Sequence, residues 1–513
     1  MKISGAAWFF ALLAAEPASV RLSPAARAAR SFRESHETEI VRELADLLSI
    51  PNRASDAPNI EKNAAAVSAL YERRGFSVRL LRVEGAPPAV FASRDFPGAR
   101  ETVTFYAHYD GQPVDPKQWS GDPFRAILRD RPLEEGGREI AWPSDSEKWN
   151  AEWRIYARSA GDDKAPIVGF LAAFDALKNA GIPLSVNLRF FFEGEEEAGS
   201  PHLEASLARY ADVVKTDAWI LCDGPVHQSR KPQLYFGARG VTGLELAVYG
   251  PNRGLHSGHY GNWAPNPIVR LTHLIDAMRD ERGMILIPGF SDDVRPLTEA
   301  ERKAIAAVPR VDEDLERELG FTHPEGEGES LVELLHRPAL NVRGILAGHV
   351  GTQAANVIVP EAAASIDFRL VPDETPESVR KKVEAFVKSQ GYFVVAEAPD
   401  AATRAAHAKI ARLDWEGGYP PARTSMDLPF SKAVIAAAER AAEAEVVKMP
   451  TLGGSIPMYL FQNGGRTPVV GVPIANHDDN QHAANENLRI QNLWDGIELY
   501  ATLFAELGIA GGN

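Results

Sequence analysis

The chain has 513 residues, beyond the size at which a single core stops growing, so two domains, or one interrupted by another, are expected. Its 55 Lys and Arg against 70 Asp and Glu give a net charge of −15, which disfavours nucleic acid and anionic membrane surfaces as partners. Cys222 is the one cysteine, which excludes an intrachain disulfide and a thiolate metal cluster and leaves any metal to nitrogen and oxygen ligands.

At the N-terminus Lys2 precedes an apolar run over residues 6–15 and a small-residue stretch holding Ala26-Arg27-Ala28. This pattern reads as a secretory signal over residues 1–30, and so as a periplasmic or secreted protein, or a cytoplasmic one if the segment is not a signal. The run is shorter than the about 20 apolar residues that span a bilayer, so no stable membrane span is expected. Amphipathic helices follow at 37–48 and 60–74, then a β segment at 77–83. Apolar runs at 102–106, 186–192, 218–221 and 468–472 are short, dense and turn-bounded, as buried strands of a helix-covered sheet are. A helix over 166–180 carries Ile167, Leu171 and Phe174 at helical spacing and stops at Gly181.

Past residue 240 the texture changes. Thr242, Leu244, Leu246 and Val248 alternate as in a half-buried strand, a helix is expected near 268–278, residues 312–329 are rich in charge, and strands are expected at 363–370 and 393–396. We read an α/β first domain over 31–240 and 406–513, interrupted by a second, α+β domain over 241–405. The segment 401–423, poor in apolar periodicity, is read as the return linker.

Five segments carry metal-type side chains, four of them just past a strand: TFYAHYDGQP with His108 and Asp110, ARSAGDDKAP with Asp162, FFEGEEEAGS with Glu197, ILCDGP with Asp223, and QHAANE with His482. In open α/β sheets, sites form at the carboxyl ends of strands, where ligands distant in sequence converge. His108 and Asp110 flank one residue at a strand end, which sets a carboxylate beside an imidazole that it can orient. Of Asp162 and Asp163, one can bridge two ions about 3.5 to 4 Å apart and the other can cap the following helix; Asp162 is assigned the bridge and Asp163 the cap. Glu193, Glu195, Glu196 and Glu197 crowd one turn, where like charges repel unless a cation neutralises some of them, so a metal ligand and a general base are expected among them.

With these residues in place, the stretch 37–508 resembles the superfamily of carnosinase, glutamate carboxypeptidase and acetylornithine deacetylase, dinuclear zinc metallopeptidases, and is most similar to its carnosinase-like dipeptidases. EGEEEAGS is similar to the family's Glu-Gly-x-Glu-Glu-x-Gly-Ser. The resemblance implies a zinc-peptidase domain with a helix-covered mixed sheet and an inserted lid that also dimerises. It implies Glu196 as general base and Glu197 as ligand, with His108 and Asp223 on one zinc, Glu197 and His482 on the other, Asp162 on both, and Asp110 orienting His108. Manganese or cobalt are alternative metals. His256, in Gly-Leu-His-Ser-Gly, resembles a histidine that reaches across a homodimer to the oxyanion. Arg369, in Asp-Phe-Arg-Leu-Val-Pro, and Ser455 with Gly454, in Gly-Gly-Ser-Ile-Pro, resemble the groups that hold a substrate carboxylate, with Asn356 and Asn266 as further candidates. Two departures are visible: Ala165 follows the Asp-x-Lys triplet where glycine is usual, and the usual Arg-Gly approach is here Arg158-Ser159-Ala160-Gly161. The expected activity is metal-dependent hydrolysis of the amide bond of a dipeptide or related small substrate with a free carboxylate. N-acyl-amino-acid deacylase or carboxypeptidase activity on the same residues is the alternative, and a catalytically dead binding protein is disfavoured because no catalytic group is lost.

Overall fold

Strand Thr102–His108 is buried on both faces, which accounts for the near-continuous apolar composition of its sequence. The computed structural model describes residues 20–144, 147–326 and 328–509. In it an eight-stranded mixed sheet runs in the order Ser77–Leu81, Ala89–Arg94, Asn187–Glu193, Thr102–His108, Ala218–Leu221, Val469–Gly471, Gln233–Tyr235, Val447–Met449. The middle of this sheet is parallel: Thr102–His108 pairs with Asn187–Glu193 from Thr102↔Asn187 to His108↔Glu193, and on its other side with Ala218–Leu221. All three therefore deliver their following turns to one end. Helices Pro24–Leu48, Lys164–Ala180 and Ile490–Glu506 pack together over one face, with Pro429–Ala442 against the last of them. Phe190 shows what this burial is worth: fully enclosed, its ring meets those of Tyr71, Phe76, Phe105, Phe170, Phe192 and Phe504. Truncating such a ring to Ala costs about 3 to 5 kcal/mol.

The second sheet has five strands in the order Ala339–Leu346, Glu361–Leu370, Gly240–Tyr249, Ile410–Tyr419, Phe393–Val395. Leu244, Leu246 and Val248 face helices Pro267–Asp276 and Pro376–Ser389, while the opposite face is polar, with Arg343, Glu245 and Glu416 linked across it. A three-stranded sheet of Asn487–Arg489, Arg154–Tyr156 and Ile127–Arg129 holds the segments before Asp162 and after His482 side by side.

Two expectations shift. Residues 1–19 of the expected leader lie outside the described residues, but the helix expected from residue 37 begins at Pro24, capped by Ser23. Ala25, Ala26 and Ala29 are buried there and Ser23 Oγ lies 3.0 Å from Thr502 Oγ1, so residues 24–30 are part of the packed fold. The expected return linker contains helix Ala401–Ala406 and strand Ile410–Tyr419, which pairs with Gly240–Tyr249 from Val241↔Tyr419 to Tyr249↔Ile410 with one irregularity between Thr242 and Leu244. Ala411, Leu413 and Trp415 face the second core from that strand, so the second sheet runs to Tyr419, not 405. No helix among the described residues is long and apolar enough to cross a membrane.

Candidate active site

The carboxyl ends of the parallel strands bring together side chains from five distant segments. His108 Nε2 lies 2.8 Å from Asp162 Oδ1, while the other oxygen of Asp162, Oδ2, lies 3.3 Å from His482 Nε2. His482 Nε2 also lies 3.1 Å from Glu197 Oε2. Donor atoms of His108, Glu196 and Asp223 fall within 4.8 Å of one another, as do those of Asp162, Glu197 and His482. Asp162 thus touches a histidine of each group. His482 is held at φ 61°, a left-handed conformation uncommon for residues other than glycine, which aims its imidazole back at the two carboxylates.

Charge at this site is costly. Burial, then the charge of Asp162, pushes the Asp223 carboxyl up to about 7. Burial and then Asp223 hold Glu196 well above the usual carboxylate range. Burial would raise Asp162 too, but hydrogen bonds from His108 and His482 outweigh it and hold this carboxyl far below its ordinary value. Asp162 and then Glu197 raise His482 to about 10. Four carboxylates and two imidazoles so arranged suit hard or borderline divalent cations, whose charge offsets the repulsion.

Asp110 does more than sit beside His108. Its Oδ1 lies 3.4 Å from His108 Nδ1, and its two oxygens accept from the backbone N–H groups of Glu196 and Glu197, both at 3.1 Å. One carboxylate therefore positions an imidazole and the acidic turn opposite it. Asp163 departs from expectation: it stands at the start of helix Lys164–Ala180, but its side chain makes no cap and instead accepts weakly from His108 N–H at 3.4 Å.

Several supporting residues escaped the sequence analysis. Buried Glu486 accepts from the N–H groups of Gly161 at 3.1 Å, Asp162 at 2.9 Å and Ser159 at 2.8 Å, and from Arg158 Nη1 at 2.7 Å. Gln112 donates to Glu197 Oε2 and Gln481 to Asp162 Oδ2, each at 2.8 Å. All three lie inside the motifs quoted above, and that proximity was the available signal. Ser159, in the departure from Arg-Gly, has φ 63°; its hydroxyl accepts from Asn52 at 2.8 Å and donates to Asp110 O at 3.2 Å.

Arg369 and Ser455, 86 positions apart, meet: Arg369 Nη1 donates to Ser455 Oγ at 2.8 Å, while Asp367 holds its Nε at 3.1 Å. Gly454 is exposed in the same loop, and its carbonyl accepts from Arg239 N–H at 3.4 Å. His256 and Asn356 come together elsewhere: His256 pairs with Val357 in a two-stranded ladder and Asn356 O accepts from Ser257 N–H at 2.9 Å. Both are exposed, and among the described residues neither side chain contacts the carboxylate and imidazole cluster of its own chain. Asn266 caps helix Pro267–Asp276 through Ile268 N–H at 3.0 Å, a structural role.

Residues 104–506 match the model of peptidase family M20/M25/M40. The chain belongs to that family. It is 27% identical over 496 residues to the Cys-Gly metallodipeptidase dug1 of Schizosaccharomyces pombe, covering 92% of this chain and 96% of that protein. It is 28% identical over 437 residues to the Beta-Ala-His dipeptidase of Homo sapiens, covering 82% and 78%. Among solved structures, the M20 family metallo-carboxypeptidase Sso-CP2 from Sulfolobus solfataricus aligns with a TM-score of 0.72 and 28% identity over 92% of this chain and 99% of that one. The protein is thus an M20-type metallopeptidase, with side chains in metal-binding arrangement at its strand ends.

Proposed function

We propose that this M20-family enzyme hydrolyses the amide bond of dipeptides or related small substrates with a free carboxylate, using two divalent cations, zinc before manganese or cobalt. The observation that carries this reading is Asp162, whose two oxygens each meet a different histidine, as a carboxylate shared between two ions does. His108 and Asp223 would hold one cation and Glu197 and His482 the other. Bound there, the cations would polarise the substrate carbonyl and acidify water towards a pKa of about 7. Glu196 takes the water proton and passes it to the leaving nitrogen. Asp110 holds His108 and the backbone of Glu196 in register. Arg369 offers a planar fork that suits bidentate carboxylate binding, with Ser455 and the Gly454 backbone beside it.

The dipeptide assignment draws on the two relatives named as dipeptidases. Metal analysis of the purified protein, with hydrolysis measured over dipeptides, longer peptides and N-acyl amino acids, tests it. Preference for longer peptides would replace it with a carboxypeptidase reading, and preference for N-acyl amino acids with a deacylase one. Full activity in metal-free protein would overturn the mechanism.

His256 and Asn356 enter this proposal from a second copy of the chain, because their exposure leaves them free to serve a partner's site. The exposed apolar residues Ile345 and Leu346 on edge strand Ala339–Leu346 support a homodimer. Mixing inactive His256→Ala with inactive Glu196→Ala forms heterodimers with one intact site if the histidine crosses the dimer. Recovered activity is expected; none in heterodimers confirmed by mass would place His256 outside the partner's chemistry.

A further inference from the structure

On the open face of the second sheet, Arg369 and Tyr419 stand opposite the same residue, Val241, from its two sides. Directly paired residues of antiparallel strands point the same way, so both side chains lie on one face, about 10 Å apart at the backbone across two strand spacings. Tyr419 stacks on Tyr459, with ring centroids 5.8 Å apart and planes 16° apart, and both rings are only partly buried. Tyr459 begins two residues after the Ser-Ile-Pro loop whose Ser455 meets Arg369. Gly240 lets this corner close, since a Cβ there would meet Tyr419 O at 2.6 Å and Pro421 N at 2.5 Å. Pro420 and Pro421 stiffen the chain just past the ring.

We propose that Tyr419 and Tyr459 form an aromatic wall that receives the side chain of the substrate's C-terminal residue and selects apolar and aromatic residues there. This wall depends on Arg369 and Ser455 holding the substrate carboxylate, as proposed above. With the carboxylate at Arg369 and the scissile nitrogen at Glu196, the C-terminal residue's α-carbon lies between these two groups. Tyr419 borders that span from the Arg369 side, one strand beyond Val241 on the same face. Stacked rings with one open side offer flat apolar surface, and Val241, half-buried between Arg369 and Tyr419, supplies an aliphatic floor. Neither tyrosine is placed to ligate metal or move a proton, so they act on selectivity and not on the chemical step.

The test compares two dipeptides with the same N-terminal residue, one ending in Gly and one in Phe, on the full-length metal-loaded enzyme and its Tyr419→Ala, Tyr459→Ala and Tyr419→Phe variants. For Tyr419→Ala and Tyr459→Ala, kcat/KM on the Phe-ended substrate should fall about tenfold to a hundredfold, mostly through KM, while the Gly-ended substrate changes less than about threefold. Tyr419→Phe, which keeps the ring, should match the wild type. Equal losses on both substrates would mean that the stack only braces the second sheet against helix Met458–Phe461, and no loss would mean that the wall is not contacted; either overturns the proposal while leaving the peptidase reading intact. A wild type that cleaves neither dipeptide would sink that reading and the wall with it.

Discussion

Removing the Glu486 carboxylate should unlatch the turn that carries Asp162. Oε1 accepts from Gly161 and Asp162, and Oε2 from Ser159 and Arg158, so Glu486→Ala strands three peptide N–H groups and a buried guanidinium at once. Breaking a buried ion pair from one side costs about 3 to 5 kcal/mol, and orphaned buried donors cost about 1 to 3 kcal/mol each. Relaxation and water entry keep these from adding, so a loss of about 4 kcal/mol is expected, a large share of a typical folding stability of about 5 to 15 kcal/mol. Glu486→Gln keeps the shape but turns an amide NH2 towards one of the two donor pairs, and should cost about half as much. Because Asp162 would then be held less firmly, metal affinity should fall about tenfold to a hundredfold, as is usual when an outer partner of a ligand is lost. Urea midpoints followed by tryptophan fluorescence, with metal titration of each folded variant, measure both effects. Wild-type midpoint and metal affinity in Glu486→Ala would refute the claim that this carboxylate holds the turn.

Glu196→Gln should abolish turnover while two metal ions remain bound, whereas Glu197→Ala should lose metal; the reverse pattern in metal analysis would exchange the two roles. Arg369→Met should raise KM for free-carboxylate dipeptides about tenfold or more and leave C-terminally amidated ones unchanged, which steady-state kinetics on the two series would show. Burial works against the Asp478 charge, but Arg154 and Arg489 outweigh it and hold this carboxyl below its ordinary value. A depressed carboxylate contributes stability that is present above its unfolded pKa of about 4 and is lost as pH falls below it. The stability gap between wild type and Asp478→Asn should therefore be full at pH 7 and shrink as pH drops below about 4; a gap constant with pH would show that the charge of Asp478 does not stabilise the fold.

Much of the catalytic half was legible because its signals are local. Strands Thr102–His108, Asn187–Glu193 and Ala218–Leu221 are buried on both faces, so their apolar runs are unbroken, and a parallel sheet puts the turns that follow them at one end. Residue order thus sufficed to nominate His108, Glu197 and Asp223 as neighbours. Strand Ile410–Tyr419 was missed because one of its faces is open and its last residues include Gly417 and Gly418, so alternation fades before the strand ends. Glu486 reaches the Asp162 turn across 324 positions and Tyr419 reaches the face of Arg369 through Val241. Neither contact has a local signature. Polar partners found across hundreds of residues are chosen by which strands lie side by side, and only the packed tertiary structure makes that choice.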